Sequence, residues 1–305
     1  MAVPIGFNEI LKKYIINKTE VEFDIVSNPE FLKQGSAIDD FLYPERIIIG
    51  TSSKKAKEIM LEIYKPFNIN ENKILFMDEN SAQMVKYAAN SFLALKISFI
   101  NEIATLCEKT GANIEEIKRG LALDSRIGDK FLNAGIGYGG SCFPKDTKAI
   151  VNFAKNKDVK LKTIQSAIEA NDEIIENFIQ KIIDFYAGNI QNKTFAVLGV
   201  AFKPNTNDTR EAPSIKIINR LSILGAKIKV YDPKAKSDFQ VVTIDEALNN
   251  ADSLIIATEW EEFKNIPVEK LLKLKDKAIF DGRNIFINRN LKSYGLKYFC
   301  IGKNE

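Results

Sequence analysis

One loop of this chain places a thiol among glycines and next to charged residues. Cys142 follows the segment Gly135–Gly140, in which four of the six residues are glycine, and it precedes Lys145 and Asp146. Glycines allow positive φ angles and a close approach to a ligand, with main-chain N–H groups free to point at it. A helical pattern begins at Lys145, so Cys142 is expected near a positive helix end and beside a cation, both of which lower a thiol pKa. The loop predicts a covalent catalytic site.

The chain has no histidine, which excludes His-based acid–base catalysis, Ser-His-Asp chemistry and His-ligated zinc. Any proton transfer then falls to Lys, Asp, Glu and Cys side chains. The cysteines Cys107, Cys142 and Cys300 form no closely spaced pair, which argues against a disulfide framework and a Cys-rich metal site. For Cys142 taken alone, a small buried cysteine or a redox-sensing thiol is the alternative interpretation.

A second candidate group lies on a long predicted helix. Apolar residues recur at helical spacing from Ser81 to about Thr110, and Gly111 ends the pattern. Lys86 and Asn90 are four residues apart, hence on one face of this helix. Such a pair is often only a polar surface, but two donors on one face also suit a shared oxyanion site.

The elements around these residues alternate between strand and helix patterns. Before the long helix, Phe23–Val26, Arg46–Gly50 and Ile74–Phe76 are predicted strands and Lys54–Tyr64 a predicted helix. Another helix covers Asp172–Tyr186. The C-terminal third alternates again, with predicted segments at Thr194–Leu198, Ser214–Leu224, Lys227–Tyr231, Ser253–Ile256 and Ala278–Phe280.

This pattern predicts an α/β fold with three parts: an α/β domain at 1–78, a central helical domain with the cysteine loop at 79–187, and a Rossmann-like domain with a parallel sheet at 188–305. The carboxyl ends of strands form the usual ligand crevice in such sheets. Phe202 and Lys203, just after the strand Thr194–Leu198, are therefore placed to contact a base or a phosphate. The alternative is that Lys203 is a solvated loop residue.

The composition argues against nucleic-acid and membrane partners. The 305 residues carry a net charge of only +3, and no basic run is interleaved with aromatics, so no nucleic-acid partner is expected. No apolar run approaches the roughly 18–20 residues of a membrane span, and the N-terminus lacks the layout of a signal peptide. We therefore predict no membrane partner and a cytoplasmic location.

Four blocks of this sequence together resemble the nucleotide-sugar 6-dehydrogenase family, in its UDP-glucose branch. They occur in the order of the family and are spread over almost the whole chain. The blocks are Ser27–Leu32 with Gly35–Ala37, Lys86–Asn90 with Asn101-Glu102, the loop Gly135–Asp146, and Phe202–Thr206 with Asp208–Glu211.

The resemblance implies a two-step oxidation of the sugar C6 alcohol to a carboxylate, with two NAD molecules and a thiohemiacetal and a thioester on Cys142. It implies that Lys86 and Asn90 stabilise the oxyanion, that Asp146 positions or activates water, and that Glu30 assists thioester hydrolysis. The uronic acid would feed polysaccharide biosynthesis. The chemistry agrees with the residue types, because a thioester holds the intermediate until water hydrolyses it.

Binding residues are implied in the same way. The resemblance places Phe31 and Leu32 near the sugar, Lys145 and Arg210 at the dinucleotide, and makes the long helix a homodimer contact. Arg126 would reach the sugar hydroxyls of a neighbouring subunit. The remaining contacts to the UDP part would be Phe131, Leu132, Tyr138, Gly139, Phe202, Lys203 and Arg283.

The N-terminal region departs from the family pattern. Residues 1–78 contain neither a G-x-G-x-x-G turn nor the ribose-binding acid, and Met1–Gly6 resembles a segment late in the NAD-binding domain. Ala2 stands where the family has a threonine of the catalytic site. We therefore expect only a remnant of that domain, weak or absent NAD binding by this chain alone, and little or no turnover.

Two classes of function remain open from the sequence. One is the NAD-dependent oxidoreductase, supported by the set Cys142, Lys86, Asn90, Asp146 and Glu30. The other is a catalytically idle nucleotide-sugar-binding or dimerisation module. Within the enzyme class, GDP-mannose and UDP-N-acetyl-hexosamines are alternative substrates, because substrate choice depends on pocket shape.

Overall fold

The computed structural model describes residues 3–67 and 69–304. The chain divides into two compact units. Unit 1 comprises Met1–Phe92 with Asp146–Leu161, and unit 2 comprises Leu93–Lys145 with Lys162–Glu305. The predicted three-part division, with bounds near residues 78 and 187, stays a prediction. Ala2 lies outside the described residues.

The elements up to the cysteine loop are mostly helical. In chain order they are α1 (Phe7–Ile16), α2 (Ala37–Leu42), β1 (Ile47–Gly50), α3 (Lys54–Tyr64), β2 (Ile74–Met77), α4 (Glu79–Thr110) and α5 (Ile114–Ala122). Short 3-10 turns cover Lys65–Phe67 and Glu71–Lys73.

After the loop, the chain forms two further long helices and then an α/β arrangement. These elements are α6 (Phe143–Lys155), α7 (Lys162–Phe185), β3 (Thr194–Leu198), α8 (Pro213–Ile223), β4 (Lys227–Tyr231), α9 (Ile244–Leu248), β5 (Ser253–Ile256), α10 (Glu261–Lys264), α11 (Val268–Leu271), β6 (Ala278–Asp281) and β7 (Lys297–Phe299), with a 3-10 turn at Leu291–Tyr294.

Unit 1 contains a βαβ arrangement. Strands β1 and β2 pair in parallel, with Ile47 opposite Ile74, and α3 connects them. The run of isoleucines in β1 is buried, as expected for β-branched residues in a parallel strand. Ser53 caps α3, because its side chain accepts a hydrogen bond from the Ala56 amide at 3.1 Å.

One predicted strand of unit 1 is wrong. Phe23–Val26 is irregular, and pairing starts only at Ser27, which forms an isolated antiparallel bridge with Gly50. Pro29 follows two residues later and has no amide hydrogen with which to extend a ladder. The alternation of apolar and polar residues in this segment therefore reflects partial burial without strand pairing.

Unit 2 is built around a five-stranded parallel sheet in the order β4-β3-β5-β6-β7. Strands β3, β5 and β6 are buried along almost their whole length, as in sheets covered by helices on both faces. The largest fully buried side chains of its core are Phe178, Phe195, Phe263, Phe280 and Phe286. This confirms the predicted α/β fold with a parallel C-terminal sheet.

The sheet order also locates a ligand crevice. Strand β3 starts the α/β arrangement, and its neighbours β4 and β5 lie on opposite sides of it. The strand order thus progresses in opposite directions on the two sides of β3, and such a topological switch point is where open α/β sheets bind ligands, beyond the carboxyl ends of the strands. The segment after β3, which carries Phe202 and Lys203, lies at this position.

Candidate active site

In unit 1, Lys86 is a buried cation held by the segment that contains Glu30. Its side chain is 6% exposed, and its Nζ donates to the Glu30 backbone oxygen at 2.5 Å and lies 3.4 Å from Glu30 Oε1. Glu30 Oε2 in turn accepts from the Leu32 amide at 2.8 Å. Buried charges persist when they are paired and hydrogen-bonded. The structure therefore brings together Lys86 and Glu30, two of the predicted site residues.

Phe31 contacts cations of two elements. The Arg46 guanidinium carbon lies 4.2 Å from the centroid of the Phe31 ring, and Lys86 Nζ lies 5.3 Å from it. Both distances are within the range of a cation–π interaction. Arg46 was missed from the sequence, because a lone arginine before a buried strand gives no signal of what it will contact.

Asn90 and Asp146 form the second polar pair of unit 1. Asn90 Nδ2 donates to Asp146 Oδ2 at 2.6 Å, and both residues are buried. Asp146 lies in the first turn of α6, where a carboxylate is favoured by the helix dipole. Asn90 is one helical turn from Lys86 on α4, so this helix supplies one polar donor to each pair.

In unit 2, Cys142 lies at the end of the glycine-rich loop. It is exposed, it immediately precedes α6, and its Sγ is 3.7 Å from Ser141 Oγ. The expected helix after Cys142 is confirmed, with its first residue at Phe143 rather than Lys145. By contrast, the Cys107 and Cys300 side chains are buried, and burial raises the pKa of Cys107.

The backbone amides of the glycine loop are mostly engaged within the protein. This corrects the expectation that they are free to point at a ligand. Four of the six amides of this segment donate to protein oxygens: Gly135 to Asn101 Oδ1 at 2.9 Å, Ile136 to Gly282 O at 2.9 Å, Tyr138 to Asn171 Oδ1 at 2.7 Å and Gly140 to Arg210 O at 2.9 Å. The loop is held in place by surrounding segments of unit 2.

Gly139 is needed because the loop passes very close to another backbone. A Cβ on Gly139 would lie 2.4 Å from the Glu211 carbonyl oxygen. Although Gly135, Gly137 and Gly140 match G-x-G-x-x-G literally, the loop follows no strand, so the context of a dinucleotide fingerprint is absent. Its glycines serve close packing.

Arg283 links the glycine loop to the end of the parallel sheet. Its guanidinium donates to the carbonyls of Ala257 at 3.0 Å, Gly137 at 3.2 Å and Phe202 at 3.4 Å. The turn that carries it is held by Asp281, which accepts from the Arg283 amide at 3.0 Å. Burial raises the pKa of Asp281.

Phe202 and Lys203 lie in the same region of unit 2. Both are half-buried, and Lys203 Nζ is 5.6 Å from the centroid of the Phe202 ring. They follow the carboxyl end of β3, near the switch point, and their contact with a ligand stays a prediction. With Arg283, whose Nε also lies 3.3 Å from Glu259 Oε2, they give the crevice an aromatic face, two cations and one carboxylate.

The predicted contacts before Cys142 differ in accessibility. Leu132 is 1% exposed and its side chain belongs to the core, and its contact with the UDP part stays a prediction. The Tyr138 ring is also buried, at 5.9 Å from Phe143. Phe131 adopts φ 65°, a conformation that costs about 1–3 kcal/mol and clusters at functional sites.

The remaining predicted site residues are exposed cations. Lys145 is exposed, and Arg210 forms a two-point ion pair with Asp208 at 2.7–2.8 Å. The hydrogen bonds and charge of Asp208 raise the pKa of Arg210, and the charge of Cys142 adds to this effect. Arg126 is 87% exposed and pairs with Asp124 in its own turn, which raises the pKa of Arg126. Among the described residues of unit 2, Arg126 makes no hydrogen bond or ion pair with another predicted site residue.

Among residues 3–67 and 69–304, no group of three or more His, Cys, Asp or Glu side chains could hold a metal ion. No helix in the same part of the chain has the length and apolar character to cross a membrane.

Three protein-family models match the chain. The models of the UDP-glucose/GDP-mannose dehydrogenase family match residues 2–68 with its NAD binding domain, residues 80–173 with its central domain and residues 196–288 with its UDP binding domain. The prediction that the chain lacks most of the NAD-binding domain is not supported by the first match.

Curated relatives align over almost the whole chain. UDP-glucose 6-dehydrogenase of Rhizobium meliloti (strain 1021) is 41% identical over 99% of this chain and 72% of its own length. UDP-glucose 6-dehydrogenase TuaD of Bacillus subtilis (strain 168) is 42% identical over 99% of this chain and 67% of its own length.

Solved structures show the same fold. A UDP-glucose dehydrogenase from Pyrobaculum islandicum superposes with a TM-score of 0.89 at 32% identity, covering 99% of this chain and 69% of that one. UDP-D-ManNAc dehydrogenase from Pyrococcus horikoshii gives 0.87 at 26% identity, covering 99% and 71%.

Proposed function

Because the chain belongs to the UDP-glucose/GDP-mannose dehydrogenase family, an NAD-dependent enzyme family, we propose that it oxidises UDP-glucose to UDP-glucuronate through Cys142. The observation that carries this proposal is that Lys86 and Asn90, one turn apart on α4, pair with the carboxylate residues Glu30 and Asp146. The names of the relatives from Rhizobium meliloti and Bacillus subtilis support the same substrate.

The residues present fit a dinucleotide. The parallel β1–α3–β2 arrangement is the unit from which dinucleotide-binding sheets are built, and residues 2–68 match the NAD binding domain. Lys145 and Arg210 are exposed cations that would hold the phosphates. NAD, when bound, accepts a hydride from C6 in each of the two oxidations.

Cys142 would hold the sugar between the two oxidations. Its sulfur adds to the carbonyl carbon of the C6 aldehyde, the thiol proton ends on the carbonyl oxygen, and a thiohemiacetal results. The second oxidation converts this adduct to a thioester. Water then adds to the thioester, the C–S bond breaks, and the carboxylate and the thiol are released.

Lys86 and Asn90 supply positive charge and hydrogen bonds to the developing oxyanion. The Lys86 ammonium is already desolvated and held by Glu30, so little reorganisation is needed when charge develops. Asn90 uses one hydrogen of its amide for Asp146, and the second hydrogen can be donated to the substrate.

The carboxylates would handle water. Asp146 is buried and fixed by Asn90, which suits a group that positions or activates a water molecule. Glu30 assists thioester hydrolysis, and its Oε2 is oriented by the Leu32 amide.

Unit 2 would bind the UDP part. Phe202 offers a ring for the base, and Lys203 and Arg283 offer charge to the diphosphate, at the end of β3. The loop would contribute the backbone of Gly139, and Tyr138, whose amide and carbonyl are paired with Asn171, would lie beside the same ligand. Phe131 and Leu132 would lie along the same ligand, and Phe31 and Leu32 near the sugar.

The direct test is NADH formation by the purified chain with UDP-glucose and NAD, with chromatographic measurement of UDP-glucuronate. Two NADH per uronate support the proposal. UDP binding without NADH formation would instead favour the idle nucleotide-sugar-binding module. Faster turnover of GDP-mannose or a UDP-N-acetyl-hexosamine in the same assay would assign the chain to another substrate of the family.

A homodimer through α4 belongs to this proposal. Phe92, Phe99 and Leu106 are exposed and follow one another at seven-residue spacing, so they lie on one stripe of the helix. A second copy of the chain could bury this stripe. Arg126, which is exposed, would then reach the sugar hydroxyls of the partner subunit.

Phe99→Glu should convert the dimer to a monomer, because it would place a charge in the buried stripe. Light scattering should give the mass of two chains for the wild type and of one chain for the variant. Ile223→Glu is the matched control and should leave the mass unchanged. Like Phe99, Ile223 is an exposed apolar residue of a helix, and it lies at the end of α8. A wild-type mass of one chain at all concentrations would refute the dimer.

A further inference from the structure

Asn171 on α7 makes a two-point contact with the glycine loop inside unit 2. The Tyr138 amide donates to Asn171 Oδ1 at 2.7 Å, and Asn171 Nδ2 donates to the Tyr138 carbonyl at 3.2 Å. Asn171 is 6% exposed. Its carboxamide therefore pairs with the N–H and C=O of one residue, as a neighbouring strand would in a sheet.

Gly137 shows how close this approach is. It has φ +91°, and a Cβ on it would lie 2.7 Å from Asn171 Oδ1. A side chain at position 137 would therefore displace the carboxamide. Gly137 and Asn171 are 34 residues apart in the chain. They can pack this closely because Gly137 has no side chain.

A second buried carboxamide holds the start of the loop. Asn101 on α4 is 1% exposed, and its Oδ1 accepts from the Gly135 amide at 2.9 Å. The loop is thus fixed by side chains of two helices before it reaches Gly139 and Cys142. Buried carboxamides are costly to leave unpaired; Asn171 pairs both its oxygen and its nitrogen with the loop, whereas the buried Nδ2 of Asn101 has no hydrogen-bond partner among the described residues.

We propose that Asn171 is a positioning residue that sets the backbone of Tyr138 and Gly139 for the UDP part of the substrate. The role in UDP binding rests on the proposed function. The role in holding the loop rests on the hydrogen bonds alone. Of the two carboxamides, Asn171 is the one that binds both the amide and the carbonyl of Tyr138, which is adjacent to Gly139. Loss of Asn171 should therefore displace the backbone of Gly139 more than loss of Asn101.

Asn171→Asp is the sharpest test. The carboxylate has nearly the same shape and can still accept from the Tyr138 amide, but it has no hydrogen for the Tyr138 carbonyl and repels it. Asn177→Asp is the matched control, because Asn177 lies on the same helix, is exposed, and gives the same change of charge.

Three measurements on the full chain separate positioning from general destabilisation. Hydrogen exchange should rise at least tenfold in the peptide 135–140 of Asn171→Asp and remain unchanged in the peptides of β3 to β7. UDP affinity, measured by calorimetry, should fall at least tenfold. The buried thiols of Cys107 and Cys300 should stay unreactive to iodoacetamide, as they should in Asn177→Asp.

Equal loop exchange in the two variants would overturn the proposal, and so would raised exchange with unchanged UDP affinity. If Cys107 and Cys300 become reactive in Asn171→Asp, the variant has lost its fold, and Asn171→Ala takes its place; wild-type loop exchange in Asn171→Ala would also overturn the proposal. A wild type that binds no UDP would instead refute the proposed function, while raised loop exchange would still support the role of Asn171 in holding the loop.

Discussion

Replacing Cys142 by alanine should lower the rate of UDP-glucuronate formation by about 10³-fold or more, because removal of a covalent nucleophile leaves only binding and the oxyanion donors. The variant has no sulfur to form the thiohemiacetal, so the second oxidation has no adduct on which to act. Oxidation to the aldehyde does not need the thiol. The ratio of NADH to uronate should therefore rise well above two.

The fold should tolerate this change. Cys142 is exposed and lies outside the hydrophobic core, so its truncation leaves no cavity. The midpoint of thermal unfolding should stay close to that of the wild type, which ties the loss of rate to chemistry.

Cys107→Ala provides the control. Cys107 is a buried thiol in the core of unit 2, where it acts as a small apolar side chain. Its truncation should lower the thermal midpoint while the uronate rate changes little at a temperature where the protein is folded. Uronate formation by Cys142→Ala at a tenth of the wild-type rate would exclude Cys142 as the nucleophile.

The local periodic patterns of the sequence predicted much of the fold. The helix α3 was predicted with its observed bounds, and the long helix α4 was predicted within two residues at its start. The strands β3, β4 and β5 were also correct, because β3 and β5 are short, mostly apolar runs and the start of β4 alternates lysine with apolar residues. The predicted strand at Phe23–Val26 was wrong because a strand needs a pairing partner, which a local sequence pattern cannot supply.

The candidate site was predictable only where its residues are near in the chain or carried by the family motifs. The spacing of Lys86 and Asn90 was enough to put both on one face of α4. Contacts that depend on distant residues gave no such signal: Tyr138 with Asn171 is 33 residues apart, and Phe31 with Arg46 joins a loop to a strand start. A glycine-rich segment likewise does not reveal whether its amides point at a ligand or at the protein.

The N-terminal region was predicted incorrectly for a different reason. The prediction of a remnant domain relied on a missing glycine fingerprint, which is one feature of a much longer domain. The family model instead matches residues 2–68, and the parallel pair β1 and β2 supplies the βαβ arrangement that such a domain requires. The missing glycine motif was therefore weaker evidence about this domain than the pattern of its other residues.

Lys86→Met should lower kcat by about 10²–10³-fold, the usual effect of removing one preorganised donor from an oxyanion site. Methionine has a similar length and no charge, so it can fill the buried space beside Phe31. The loss should be larger in kcat than in KM, because the ammonium acts on charge that develops only in the transition state.

The free energy of unfolding should change less than kcat in Lys86→Met. The partner Glu30 is partly exposed, so its carboxylate can be solvated when the Lys86 charge is removed, and no buried unpaired charge remains. Lys109→Met, at an exposed position near the end of the same helix, controls for the change of charge and should keep the wild-type kcat. If the two variants had equal kcat values, Lys86 would only hold the Glu30 segment in place, and the stabilisation of the oxyanion would have to come from Asn90 alone.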